Sequence, residues 1–295
     1  MRLWVSSQDF RNDIVVSEER ISKVGETYRM LRNTLRYQLS NLYDFDPGKH
    51  TVPDERLTGL DRWILAAFSQ LEEQVLAAYD RFEFHVVYQR VSQFTAVELS
   101  AIYHDLVKDR LYTDAAGSHR RRSTQTVLFR IVKGLCTMLA PILAFTSDEA
   151  WEFVPGSRPS SVHEALWQPQ PFTLGEAEGR LWQQLFDLRA RALLELEQAR
   201  QAKAIGKALE AQLKIIGPAA ELQPILGYQD ELRELLNVSA LALEVGEQEK
   251  VTITVAKADG TKCERCWHWE IDIGSHPDHP TICGRCAKAV SPVPK

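Results

Sequence analysis

The sequence predicts a mainly α protein: a bundle of long helices, then a small α+β unit, then a tail clipped together by cysteines. Three observations predict it. Over the first two-thirds, apolar residues recur at steps of three and four, the period of a helix buried on one side. Beyond residue 210 the pattern turns to alternation and β-branched residues, the mark of strands. Near the end stand Cys263, Cys266, Cys283 and Cys286 in the spacing C-x2-C-x16-C-x2-C. With 295 residues, 44% apolar and 25% charged, the chain has the composition of a folded protein of more than one unit.

The elements follow in order. Ile21, Val24, Tyr28, Leu31, Leu35, Leu39 and Leu42 fall on one stripe of a first helix over 21–42. Arg29, Arg32, Asn33 and Arg36 share a neighbouring face of it. DPGKHTVPDE (46–55) ends that helix with Pro, Gly and Asp in turn positions. Further helices are predicted over 57–79, 84–106 and 123–153. The last contains Pro141, which lacks an N–H and predicts a kink. Long helices with short polar breaks between them predict a bundle over 17–155. VPGSRPSSVHEALWQPQPF (154–172), rich in Pro and Ser, marks the domain boundary, with a linker over 156–172. A helix over 176–203 opens a unit spanning 173–256. Its strands are predicted at 210–217, 240–246 and 250–260, with a short helix, DELRELL, between the first two. The tail covers 257–295.

Charge and composition exclude several classes. No apolar segment with a cleavage site opens the chain, so no export is implied and the expected compartment is the cytoplasm. The longest nearly unbroken apolar run, LCTMLAPILAF (135–145), is too short to span a bilayer, so no membrane partner is expected. A net charge of −5 disfavours nucleic acid, yet its distribution is uneven. Residues 118–134 carry five basic groups and no acid, whereas 221–249 carry seven acids against Arg233. A basic face on an acidic protein is the face that meets phosphate.

Each C-x2-C pair brings two sulfurs to one ion from a tight turn, and two pairs complete a tetrahedron of thiolates. A redox dithiol needs only one such pair, beside a βαβ pattern that this sequence lacks; unpaired buried thiols are the other alternative. Four thiolates close the coordination shell, so the expected metal is a single structural zinc. In a loop too short for its own core, such an ion contributes about 10–16 kcal/mol of apparent binding free energy. Gly284, inside the second pair, is expected to supply the permissive backbone of a knuckle. Cys136, among Leu135, Met138 and Leu139, is expected to pack as a small hydrophobe. Trp267 is open to three readings: stacking on a base, covering the metal, or packing on its neighbour.

In this order, the motifs resemble those of the C-terminal part of bacterial-type isoleucyl-tRNA synthetases. RLWVSSQDFRNDI (2–14) is similar to the segment that follows that family's KMSKS loop. YRMLRNTLRYQLSNLYDFDP (28–47) resembles the opening helix of its anticodon-binding bundle. LSAIYHDLVKDRLY (99–112), RRSTQTVL (121–128), LAPILAFTSDEAWEFVP (139–155) and ARQAKAIGKALEAQL (199–213) follow in the family's order. KCERCWHWE and ICGRC resemble its terminal zinc finger, which separates this family from the valyl- and leucyl-tRNA synthetases.

The resemblance implies a class Ia anticodon-binding bundle over 17–155, after a segment (1–16) that trails a catalytic core with no counterpart here. The HIGH and KMSKS signatures and the editing insertion are likewise without counterpart, which implies a fragment, a split gene product or a truncated reading frame. No catalytic residue is expected, and ATP and magnesium belong to the parent enzyme. The implied partner is isoleucine tRNA, met by a monomer, with a separate catalytic half if the gene is split. Arg29, Arg32, Asn33 and Arg36 would lie in the bundle that receives the tRNA. Arg120, Arg121 and Arg122 are expected to precede a helix start, where a phosphate would relieve their conflict with the helix dipole. Trp267 is implied to approach the anticodon end. A free-standing RNA-binding or assembly protein built from the same module is the competing reading. A third treats the tail as a zinc knuckle for protein contact.

Overall fold

The computed structural model describes residues 1–291; the end of the expected tail, 292–295, lies outside the described residues. The chain divides into two compact units, Met1–Leu111 with Gly117–Leu174, and Tyr112–Ala116 with Gly175–Lys295.

The first unit is helical. Its main helices are α1 (Glu18–Ser40), α2 (Gly59–Asp80), α3 (Phe84–Phe94), α4 (His119–Leu139) and α5 (Ala144–Trp151). Helix α1 begins earlier than the apolar stripe predicts, because capping decides the start. The Ser17 hydroxyl accepts from the Arg20 N–H at 3.3 Å, with Glu18 and Glu19 in the first turn opposite the helix dipole. The stripe is buried at its C-terminal half and half-buried before it: Leu31 and Leu35 of α1 share the core with Ile64, Phe68 and Val75 of α2 and with Leu128, Ile131 and Leu135 of α4, while Ile21, Val24 and Tyr28 are half-buried. Cys136 is buried among them, and burial pushes its thiol up to about 12. Helix α3 continues through widened π-helical turns at Thr95–Tyr103, turning both Leu99 and Tyr103 inward.

Two expectations are corrected. Helix α4 starts at His119, not 123, since the Ser118 hydroxyl caps it by accepting from the Arg121 N–H at 3.2 Å. Arg120, Arg121 and Arg122 therefore lie inside the first turn and do not precede it. Nor is the stretch over 123–153 one kinked helix. After Leu139 the chain makes a turn around Pro141, which has no N–H to continue the ladder, and restarts as α5 at Ala144.

The bundle also buries a polar network. Asp61, fully buried on α2, accepts from Thr58 (2.7 Å), Tyr103 (2.6 Å), Ser123 (2.5 Å) and Arg110 Nη1 (3.2 Å). Arg110 is 2% exposed and donates also to Thr58 and Thr124. Burial, with Asp61 beside it, holds the Tyr103 phenol well above its usual range. Residues read as linker are tied to α2 and α4: Trp167 Nε1 donates to Glu72 at 3.0 Å, the Phe172 N–H to Ser69 at 2.9 Å, and Arg130 to the Gln170 carbonyl at 3.2 Å.

The second unit opens with α6 (Glu176–Gln201), which lies against a three-stranded sheet. Its strands are β1 (Ala211–Gly217), β2 (Ala240–Val245) and β3 (Thr252–Lys257), in the order β2-β1-β3. β1 pairs parallel with β2, Leu213 opposite Leu241, and antiparallel with β3, Leu213 opposite Val255. The parallel pair needs a crossover, supplied by α7 (Gln229–Leu236). That helix ends on Asn237 at φ +53°, a left-handed position that Asn tolerates better than most. Alternate residues of β1, namely Ala211, Leu213 and Ile215, are buried, as are Leu185, Leu188 and Ala192 of α6. On the open face Lys214 pairs with Glu244 at 2.9 Å. A sheet wet on one face explains the alternation visible in the sequence. Beyond β3 follow β4 (Thr261–Lys262), β5 (Trp269–Glu270) and α8 (Gly284–Val290).

Candidate metal centre and nucleic-acid interface

The tail has almost no apolar core of its own. Its buried centre is Cys263, Cys266, Cys283 and Cys286, with Ile273 and Ile282 packed against them. The four sulfurs lie within 4.8 Å of one another, and none is in a disulfide. Cys266 Sγ and Cys283 Sγ stand 3.8 Å apart. Thiolates at about 2.3 Å from a tetrahedral zinc would stand about 3.8 Å apart, so the donor set fits that ion.

Local chemistry builds the cluster. The Trp267 N–H closes the first knuckle on the Cys263 carbonyl at 3.0 Å, and the Cys283 N–H points at Cys263 Sγ at 3.4 Å. Burial opposes the Cys263 thiolate, but N–H groups of Cys266, Cys283 and Arg265 outweigh it and bring the thiol down to about 7. At Cys286 burial dominates and pushes the thiol up to about 11, although Arg265 reaches its sulfur. Arg285 likewise reaches Cys266. These guanidinium groups offset the two negative charges that four thiolates leave around a divalent ion. The arginines are themselves held: Arg265 donates to the Thr113 carbonyl, and Arg285 approaches Asp114 Oδ1 at 3.4 Å. Ligand spacing alone gives no sign of either arginine, although each stands between the cysteines of a pair.

Gly284 sits in a close contact, not in the left-handed conformation that its position predicts. It opens α8, and no left-handed φ is recorded there. A Cβ would stand 2.7 Å from Asp272 Oδ2, the oxygen that accepts the Gly284 N–H at 2.9 Å. A side chain here would displace the Asp272 carboxylate that accepts this N–H. The left-handed residue of the knuckle is Trp267, at φ +68°.

That conformation turns the Trp267 ring outward. The residue is 56% exposed, whereas His268 beside it is buried and Trp269 is half-buried under the Lys257 ammonium, 4.5 Å from the ring centre. Lys262 Nζ lies 5.4 Å from the Trp267 ring. More than half of the residue's surface therefore faces solvent.

On the bundle, Arg29, Arg32, Asn33 and Arg36 are all exposed along one face of α1. Arg32 forms a two-pronged pair with Glu149 at 2.5 and 3.0 Å, exposed on both sides and so easily exchanged for another anion. The arginines of α4 differ. Arg121 is 3% exposed and grips both oxygens of Asp44 at 2.6 and 2.9 Å. Arg122 donates to the Asp44 carbonyl and to Gln125, and Arg120 pairs with Asp109 at 2.8 Å. Burial works against the Asp44 carboxylate, but Arg121 and Gln125 hold it below the usual range. An acid-free run in sequence is thus neutralised in space by acids from elsewhere.

Helices carrying a row of exposed cations and a thiolate knuckle carrying an exposed tryptophan define a nucleic-acid-recognition module. Residues 61–215 match the family described as the anticodon-binding domain of tRNA ligase, and residues 260–289 match the zinc finger found in FPG and IleRS. The chain belongs to the tRNA-ligase anticodon-binding family. It is 42% identical to an isoleucine–tRNA ligase of Desulfitobacterium hafniense over 99% of its own length and 33% of that protein's. With the isoleucine–tRNA ligase of Sodalis glossinidius the identity is 39%, over 99% of this chain and 32% of the relative. For that of Geobacter sulfurreducens it is 40%, over 98% and 32%. The chain spans about a third of the length of the curated relatives it matches, and corresponds to their C-terminal part. No helix among the described residues is long and apolar enough to cross a membrane.

Proposed function

We propose that the chain is the tRNA-recognition portion of an isoleucine–tRNA ligase and receives the anticodon end of isoleucine tRNA. The exposed Trp267 ring, presented from a metal-clipped knuckle, carries this reading. An aromatic face offers stacking to any base, and a rigid mount lowers the entropy lost on binding. Arg29, Arg32, Asn33 and Arg36 supply phosphate contacts from the bundle, assigned to 17–155. Arg120 and Arg122, paired with Asp109 and Asp44, would meet phosphate by exchanging those partners, and buried Arg121 positions its neighbours. In this division of labour the 156–172 segment closes the bundle, 173–256 joins it to the knuckle, and 257–295 reads the anticodon end. The working compartment would be the cytoplasm, and the chain a monomer.

Binding to isoleucine tRNA and to a non-cognate tRNA across a salt series tests the reading. Arg36→Gln is expected to weaken both tRNAs alike and to reduce the salt slope by about 0.7–0.9. Trp267→Ala is expected to cost about 1–3 kcal/mol with isoleucine tRNA while leaving the slope unchanged. Zinc content should not change, because Trp267 is not a ligand. Unaltered affinity in Trp267→Ala, with zinc retained, would return the ring to a packing role.

Adenylation would lie outside this chain, since ATP and magnesium need a nucleotide cradle that its sequence does not contain. Isoleucine-dependent exchange of pyrophosphate into ATP is therefore expected to be absent. Exchange that a mutation within these residues abolishes would overturn the reading.

A further inference from the structure

Between α1 and α5 runs an open cleft of about 630 Å³, within the range of pockets that hold small organic groups. Its walls are of two kinds. Arg32, Asn33 and Arg36 line it with cationic and amide groups, and Tyr43 and Phe153 line it with aromatic rings. Both rings are exposed, Tyr43 at 81% and Phe153 at 67%, which is unusual for side chains of this size at a bundle surface. Tyr43 is nevertheless held in place: the Arg121 guanidinium lies 5.8 Å from its ring centre, and Arg121 is fixed by its double grip on Asp44. Such a ring has one face braced by a cation and the other turned to solvent. Arg36 has no acidic partner among the described residues, while Arg32 is paired with the exposed Glu149.

We infer that this cleft seats one unpaired nucleotide of the bound tRNA, its base against Tyr43 and Phe153 and its phosphate against Arg36 and Arg32. The inference rests on the proposed tRNA-binding function and adds a site remote in sequence from the zinc knuckle. Aromatic walls beside cations match the two chemically unlike halves of a nucleotide, an apolar π-face and an anion. A protein helix would need an apolar groove without arginines at its mouth, and a duplex keeps its bases stacked on one another, so it offers these rings no free π-face. The buried Arg121–Asp44 pair then positions the stacking ring and does not touch RNA.

The test is tRNA affinity of the full chain at two salt concentrations. Tyr43→Ala and Phe153→Ala are each expected to weaken isoleucine tRNA by about 5- to 100-fold, the loss of one base stack, with the salt slope unchanged. Tyr43→Phe should recover wild-type affinity, because it keeps the π-face. Leu166→Ala, an equally exposed apolar residue outside the cleft at 81%, should leave binding unaltered. Melting temperatures of all four variants should match the wild type, since none removes a buried side chain. Wild-type affinity in both Tyr43→Ala and Phe153→Ala, with the parent chain still binding tRNA, overturns the cleft and spares the tRNA reading. A parent chain that binds no tRNA at low salt overturns both.

Discussion

Cys283→Ser is expected to release the metal and unfold the tail while leaving the bundle folded. The tail's buried centre consists of the four sulfurs and the two isoleucines against them. With so little apolar surface withdrawn from water, the metal carries the stability, and structural zinc contributes about 10–16 kcal/mol of apparent free energy in modules of this size. A serine hydroxyl neither ionises readily nor matches the soft ion, so three thiolates are left around an open position. Loss should extend from Thr261 to Val290, because the short β4–β5 pair and α8 flank the cysteines and bury almost nothing else together. The Ser239 hydroxyl, which accepts from the Trp269 N–H at 2.7 Å, would lose that donor at the edge of the sheet. Metal analysis and amide hydrogen exchange together give the result. The wild type should hold one zinc per chain after purification without chelator, and well under one would count decisively against a structural ion. Unchanged exchange protection in the variant's tail would show that the chain holds its shape without it.

Asp61→Ala is expected to have the largest effect on the first unit, about 3–5 kcal/mol, because it removes one partner of a buried ion pair. Arg110 is 2% exposed and would lose the Asp61 carboxylate while still buried. Four hydroxyl groups, from Thr58, Tyr103, Ser123 and Thr124, would lose that acceptor in the same change. Against a domain stability of about 5–15 kcal/mol such a loss takes up a large share. Asp61→Asn keeps the shape and an acceptor oxygen, so it should recover part of the loss but not the charge. Urea unfolding followed by circular dichroism, with the two units fitted as separate transitions, measures both. A shift below about 1 kcal/mol in Asp61→Ala, the scale of an exposed pair, would mean the network contributes little.

How much of this was legible in the sequence depends on the distance over which each feature is determined. Helices of the bundle could be read because Leu31, Leu35 and their successors repeat within one helix, and the cysteine cluster because each pair closes within a turn. The α+β unit could be read from the alternation of β1, which a sheet wet on one face imposes. Features set by remote partners could not. Arg121 looked like a free cation because its carboxylate, Asp44, lies 77 residues away, and Asp61 gave no sign that Arg110, 49 residues on, would be buried against it. The start of α4 was misplaced for a local reason: Ser118 caps the helix ahead of the apolar stripe, and periodicity sees only the stripe. Tyr43 and Phe153 were passed over because an exposed aromatic has no periodic signature. Nothing before the fold was known placed them beside Arg36.

The short segment Tyr112–Ala116 clusters with the second unit although it is flanked on both sides by residues of the first. Through it, Arg265 and Arg285 obtain the Thr113 carbonyl and the Asp114 carboxylate. A protease or a cloning boundary at Gly175 would therefore not separate two complete bodies. It would strip the knuckle's arginines of their anchors and leave those five residues behind as an orphaned loop. Dissection of this protein into parts that each keep their native shape calls for a circular permutation or a supplied peptide, not a single cut. Any lineage that shuffled the zinc-bearing end onto another scaffold would have had to replace that anchorage as well.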